Sequence, residues 1–118
     1  MKGFFVTGTD TGVGKTIISC GIAAALKKQK FDVGVFKPFL SGISRTHPES
    51  DTAMLKRASQ TSLTYEDITP FEYKEPLAPY TAAKLEGKII TTISSSKEQA
   101  ASRCRSERIF WSAMRSKR

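Results

Sequence analysis

The sequence has little of what metal centres and disulfide frameworks are built from. It contains two cysteines, Cys20 and Cys104, and a single histidine, His47. The cysteines are far apart, and neither has a Cys or His neighbour at metal-ligand spacing, which argues against a metal cluster or a stapled scaffold. Cys20 falls on the apolar side of a helical pattern and reads as a buried thiol; His47 stands beside Pro48 in a polar stretch and reads as solvated. No apolar run approaches the roughly 20 residues of a membrane span. Met1-Lys2-Gly3 leads straight into an apolar strand with no secretory pattern, so the expected setting is the reducing cytoplasm, away from membranes. No internal repeat or low-complexity linker occurs. A chain of 118 residues, 39% of them apolar, holds one domain at most, and a doubly wound nucleotide-binding domain usually needs more chain.

Positive charge is abundant but uneven. The formal net charge is +8, yet residues 97–118 carry seven cations against two carboxylates and so account for +5 of it. A basic tail can mark nucleic-acid contact. Here its aromatic content is Phe110 and Trp111, with no recognisable reading module, and no nucleic-acid partner is expected. The remaining body is nearly balanced.

The most informative stretch is Gly8-Thr9-Asp10-Thr11-Gly12-Val13-Gly14-Lys15-Thr16. It follows the apolar run Phe4-Phe5-Val6 and opens into a helical pattern, the order that a phosphate-binding P-loop requires. Phosphate oxygens are satisfied by a row of backbone N–H groups, which only a tightly wrapped loop can aim together. Gly12 and Gly14 allow dihedrals that a Cβ forbids, and the following helix presents its positive end to the same anion. Lys15 would reach the β/γ-phosphates and the Thr16 hydroxyl would ligate Mg²⁺. One irregularity stands out. The general pattern has glycine five residues before Gly14, where this chain has Thr9; Gly8 comes one residue earlier.

The rest reads as the start of an α/β fold, a P-loop NTPase-type parallel sheet with flanking helices, incomplete in this chain. A strand is expected over 3–7 and a helix over 15–29, with Ile17, Ile18, Ile22, Ala25 and Leu26 on its apolar face. Val33–Phe36 is a second strand, parallel to the first by the right-handed crossover rule and stopped by Pro38. A polar loop runs to about residue 50, and Asp51-Thr52 caps a short helix through Ala58. Residues 63–79 read as loop with an extended piece near Phe71–Tyr73. A helix at about 79–86 ends at Gly87, and another begins after Thr91 or Thr92. Ligands collect beyond the carboxyl ends of strands in open α/β sheets, which places Lys37 beside the phosphate loop as a second cation for phosphoryl transfer. An ordinary solvated lysine is the competing reading. Asp51 is either a Mg²⁺ partner or only a helix cap, and Ser41 lies on the intervening loop.

These residues resemble a specific family. Phe5-Val6-Thr7-Gly8-Thr9-Asp10-Thr11-Gly12-Val13-Gly14-Lys15-Thr16 is similar to the P-loop of the ATP-dependent dethiobiotin synthetases, whose pattern is Gly-Thr-Asp-Thr, one variable residue, then Val-Gly-Lys-Thr. Thr9 is regular in that pattern. Lys37-Pro38 with Ser41-Gly42, Ser50-Asp51-Thr52-Ala53, and Pro76-Leu77-Ala78-Pro79 through Leu85-Glu86-Gly87 resemble three further segments in the same order. The resemblance implies ATP, Mg²⁺, 7,8-diaminopelargonate and CO₂ as reactants. One substrate amine becomes a carbamate, its oxygen attacks the γ-phosphate, and the second amine closes the ureido ring with release of phosphate. It further implies that Gly12, Val13, Gly14, Lys15, Thr16 and Ile17 hold the triphosphate together with Asp51, and that Thr16 and Asp51 hold the metal. Lys15 and Lys37 would stabilise phosphoryl and carbamate charge, with Ser41, Thr11 and Lys37 on the substrate side. The family is homodimeric.

The resemblance covers about residues 3–95 and divides the chain into a synthetase-like part, 1–96, and a basic tail, 97–118. The family continues into a third strand carrying Val-Glu-Gly-Ala-Gly-Gly, whose glutamate is a second metal ligand, and nothing of that kind follows here. Ser102–Arg108 and Met114–Arg118 show no strand alternation, and the Arg/Ser richness reads as a truncated or frame-shifted reading of a longer gene. Two parallel strands with one crossover helix would leave Phe4, Val6, Val33 and Val35 facing water or another chain. The expectation is a chain that is poorly soluble or partly disordered, and inactive alone. An alternative is a partitioning-type P-loop ATPase, which carries a lysine where this chain has Asp10.

Overall fold

The computed structural model describes residues 2–8, 12–76, 79–87 and 108–112. The P-loop order is present: strand β1 (Lys2–Val6) is followed, across the loop, by helix α1 (Lys15–Lys28). The helix closes with Lys27 and Lys28 in its last turn, cations at the negative end of the dipole. Strand β2 (Val33–Phe36) comes next and is buried on both faces, as a strand inside a helix-covered parallel sheet must be.

Pro38 ends β2 as expected, but the chain does not enter a loop there. Strand β3 (Phe39–Ser41) begins at once in a second sheet, paired in parallel with β4 (Phe71–Tyr73). Proline has no N–H for a ladder, so the position suits a change of sheet. Lys37 N–H donates to the Ile68 carbonyl at 2.8 Å and Phe71 N–H to the Pro38 carbonyl at 3.0 Å, which ties the junction between β2 and β3 to the segment that enters β4. The anticipated extended piece at Phe71–Tyr73 is therefore β4. A short helix, α3 (Tyr65–Ile68), precedes it on a reciprocal Thr64–Asp67 capping box.

Helix α2 (Asp51–Ser59) packs with α1 and β2 around one core of Ala23, Val33, Val35, Leu55, Leu63 and Ile68. Ser50, not Asp51, caps α2: its Oγ accepts the Ala53 N–H at 3.1 Å, and Asp51 is the first helical residue. An uncharged hydroxyl serves the cap and leaves the carboxylate for another partner. A second core joins Tyr73 to Ala82 and Ala83 of α4 (Pro79–Leu85), beside the stacked rings of Phe39 and Phe71. Gly87 takes φ 63° just beyond α4, the left-handed position read for it. The helix expected after Thr91 or Thr92 lies outside the described residues.

Two expectations are overturned. The apolar face assigned to α1 is not its buried face, because Ser19 and Ala23 are fully buried while Ile17 and Ile18 are more than half exposed. Small side chains suit a helix face pressed between α2 and the sheet, with α2 its main neighbour; Ile22 and Leu26 pack against the same core. The tail also contains a strand. β5 (Arg108–Ser112) runs parallel to both neighbours in the order β1-β5-β2. β1 and β2 thus sit two strand spacings apart, roughly 10 Å. Val33 and Val35, expected to face water, are each 1% exposed, whereas Phe4 is half exposed.

Candidate nucleotide site

The loop after β1 is built on glycine geometry. Gly12 and Gly14 adopt φ 76° and 91°, a region that side chains rarely enter. Gly8 is constrained differently: a Cβ there would lie 2.8 Å from Val13 Cγ2 and 3.2 Å from Lys15 Cδ. The loop therefore folds back on Gly8, which accounts for glycine at that position. Gly14 is the N-cap of α1, with no side chain to bond the first-turn N–H groups and no acidic residue in that turn. The positive helix end is left for an external anion. Thr9, Asp10 and Thr11 lie outside the described residues, and with them the Thr11 substrate contact.

Strand register sets the second cation. Phe5 and Phe36 both pair with Trp111, so Lys37 stands level with Val6, where the chain leaves β1 for the loop. Lys37 is at the same edge of the sheet as the loop, although β5 intervenes and β2 is not the neighbouring strand assumed from the sequence. Its ammonium donates to Asp51 Oδ2 at 2.6 Å, with the lysine side chain 12% exposed and the carboxylate 38%. The solvated-lysine reading is thereby displaced. Asp51 is not a helix cap but the partner of Lys37.

Thr16 opens α1 and lies one turn before Cys20, which faces the same core as α2. Burial first, then the Asp51 charge, push the Cys20 thiol above its ordinary value, with Arg57 opposing. Cys20 is half-buried and reduced, and the raised value has a testable consequence. A thiol held protonated in the folded state contributes stability below its ordinary pKa and loses it as the pH rises through the folded one. Urea midpoints should fall more steeply on the alkaline side for the parent than for Cys20→Ala. Parallel curves would show that Cys20 titrates as in the unfolded chain.

Ser41 ends β3, and Gly42 follows at φ 80° with its N–H on the Tyr73 carbonyl. A Cβ on Gly42 would sit 2.8 Å from Pro76 Cβ, so the turn is closed against the segment after β4. Val13 and Ile17 flank the loop with exposed side chains; their expected contribution is backbone N–H. His47 is exposed and accepts the Glu49 N–H, as a solvated loop histidine would. Among the described residues no three His, Cys, Asp or Glu side chains cluster as a metal site.

Sequence reasoning missed the network behind Asp51. Arg45 Nη1 donates to the Thr69 carbonyl at 2.6 Å, and its Nε approaches Glu72 Oε2 at 3.1 Å. Thr52 and Thr69 share a buried hydroxyl–hydroxyl bond of 2.7 Å. These partners stand 17 to 27 residues apart. Local pattern carries no sign of them; the one readable signal was a serine directly before Asp51.

A family model described as AAA domain matches residues 2–104. The ATP-dependent dethiobiotin synthetase of Bacillus velezensis is 71% identical over 91 residues, which is 77% of this chain and 39% of that protein. The synthetases of Bacillus subtilis strain 168 and Bacillus cereus strain B4264 are 70% and 42% identical over 91 and 90 residues, covering 77% and 76% of this chain and 39% and 37% of theirs. The chain thus spans about two fifths of the length of the curated relatives it matches. With a glycine-wrapped loop opening α1 and a matching region of this extent, the chain belongs to the AAA-domain family, and its N-terminal 77% is homologous to ATP-dependent dethiobiotin synthetases.

Proposed function

We propose that the chain carries the nucleotide-binding portion of a dethiobiotin synthetase, acting on ATP, CO₂ and 7,8-diaminopelargonate in the cytoplasm as part of a homodimer. The observation that carries this reading is the Lys37–Asp51 pair, set level with the start of the phosphate loop. The pair supports the reading because it would supply a cation and a carboxylate between two anionic reactants, a carbamate and a triphosphate. In this reading backbone N–H groups from Gly12 to Ile17 hold the triphosphate and Lys15 neutralises its outer oxygens. Lys37 holds the carbamate against the γ-phosphate, and Ser41 and Thr11 orient the diamine. Both reactants are anionic, so positioning and charge neutralisation supply most of what catalysis requires.

Mg²⁺ fits the donor set. Thr16 and Asp51 offer hard oxygens, as that ion prefers, and the short list of protein ligands suits a cation that keeps several waters. Bound there, it would neutralise charge on the phosphates. Asp51 would then exchange Lys37 for the metal or share its two oxygens between them.

The 118-residue chain alone is not a competent synthetase in this reading. The matched region spans about two fifths of the length of the relatives, so most of what forms a synthetase lies beyond the part these residues match. We divide the chain at residue 96, with 97–118 as a basic tail that lends one strand to the sheet. The test is a chimera joining the 91 matched residues to the remainder of the Bacillus velezensis relative. The chimera should form dethiobiotin from ATP, bicarbonate and diaminopelargonate, and the 118-residue chain should not. A soluble, folded chimera without activity would refute the assignment, and turnover by the short chain would refute the division.

A further inference from the structure

The start of α2, where Asp51 stands between Ser50 and Thr52, is braced by a closed ring of contacts that has no place in the reading above. Ser50 Oγ, which caps α2, donates to the Arg45 carbonyl at 2.9 Å. The Arg45 guanidinium crosses to the Thr69 carbonyl, and the Thr69 hydroxyl returns to Thr52, the neighbour of Asp51. Glu72 anchors the ring from β4 through the Arg45 backbone N–H at 2.8 Å and through Nε. Thr69 and Thr52 are fully buried, and Ser50 nearly so. The residue before Thr69 is Ile68, whose carbonyl receives the Lys37 N–H. Both partners of the Lys37–Asp51 pair are therefore tied to the same segment, Lys37 through its backbone N–H and Asp51 through its neighbours, Ser50 by way of Arg45 and Thr52 directly to Thr69.

We propose that Arg45 is a positioning residue that braces the start of α2 and so, through the backbone, sets the Asp51 carboxylate against Lys37. The inference rests on the nucleotide reading for its functional meaning, since that reading makes the pair part of the phosphate site. A planar fork can serve Glu72 and the Thr69 carbonyl together; a single ammonium cannot reach both in the same geometry. Removing the fork leaves a buried carbonyl without that donor and loosens the Thr69 segment to which Thr52, and so the start of α2, is bonded.

The test reads Lys37 directly and needs neither metal nor nucleotide. The 118-residue chain is pulse-labelled with acetic anhydride near neutral pH, and lysine modification is followed by mass spectrometry. Lys56, which donates to the Thr61 and Leu63 carbonyls, is the internal control. Arg45→Met should raise Lys37 modification about five-fold, the factor that follows from about 1 kcal/mol of lost hydrogen bonding, with Lys56 unchanged. Arg45→Lys should remain raised by more than about two-fold, because one arm of the fork is still missing. Asp51→Asn should raise Lys37 modification as much as Arg45→Met. Unchanged Lys37 labelling in Arg45→Met beside a raised rate in Asp51→Asn overturns the proposal. So does an equal rise at Lys56, which marks general loosening, or full rescue by Arg45→Lys. An unchanged rate in Asp51→Asn removes the pair and the proposal with it. Failure of the nucleotide reading shows separately, as absence of ATP binding by the unsubstituted chain.

Discussion

Lys15→Ala should weaken ATP binding by at least about 30-fold, the equivalent of about 2 kcal/mol for one charge-assisted contact. Lys15 follows the left-handed Gly14 cap, and its aliphatic stem folds over Gly8. That course brings the ammonium along the loop, and no other residue in 8–16 is cationic. The helix end and the loop N–H groups remain in the variant, so residual binding should persist and should favour nucleotides with fewer phosphates. Calorimetry with ATP, ADP and AMP checks this: ATP should lose most and AMP least. Equal affinity of the parent and variant for ATP would sink the phosphate-loop assignment. Thr16→Val in the same series should lower the gain in ATP affinity that Mg²⁺ brings without altering the binding measured in its absence.

Lys37→Gln should cut dethiobiotin formation by two to three orders of magnitude in the chimera with the Bacillus velezensis remainder, the effect typical of removing one preorganised electrostatic contact to developing charge. ATP affinity should change little, because the loop and Lys15 carry that binding. The structure adds a further expectation for Lys37→Arg. A guanidinium facing Asp51 can form a bidentate pair with it, and so hold the carboxylate more firmly than an ammonium does. The arginine variant should therefore be poor as well, with a raised requirement for Mg²⁺. Single-turnover phosphate release, measured beside ATP affinity, separates chemistry from binding. Near-parent turnover in Lys37→Gln would return Lys37 to the role of a structural ion-pair partner.

Much of the site was legible because its signals are local. Gly12, Gly14, Lys15 and Thr16 are neighbours in sequence, and the need for positive φ and close backbone approach can be read from residue type alone. The level of Lys37 followed from parallel strands leaving the sheet at one edge. Less legible was anything decided by a partner distant in sequence. That Asp51 is not the cap depended on Ser50 taking that place, and its pairing with Lys37 at 2.6 Å was not among the readings of the sequence. The buried face of α1 differs from its apolar stripe because hydrophobic periodicity does not register how closely a helix packs on its neighbours, here α2 above all. At close range Ser19 and Ala23 fit where isoleucine would not.

By itself the sequence determined the phosphate loop, the order of strand, loop and helix around it, and the resemblance to the synthetases, since each rests on residue types at short fixed spacing. Only the tertiary structure decided that Arg108–Ser112 enters the sheet between β1 and β2, that Pro38 marks a change of sheet, and that Arg45, Thr52 and Thr69 stand behind Asp51. The physical reason is one of range. Backbone conformation and anion binding at a helix end are set within a few residues, whereas strand order and buried hydrogen bonds are set by whichever donors and acceptors the collapsed chain brings together and cannot leave unpaired.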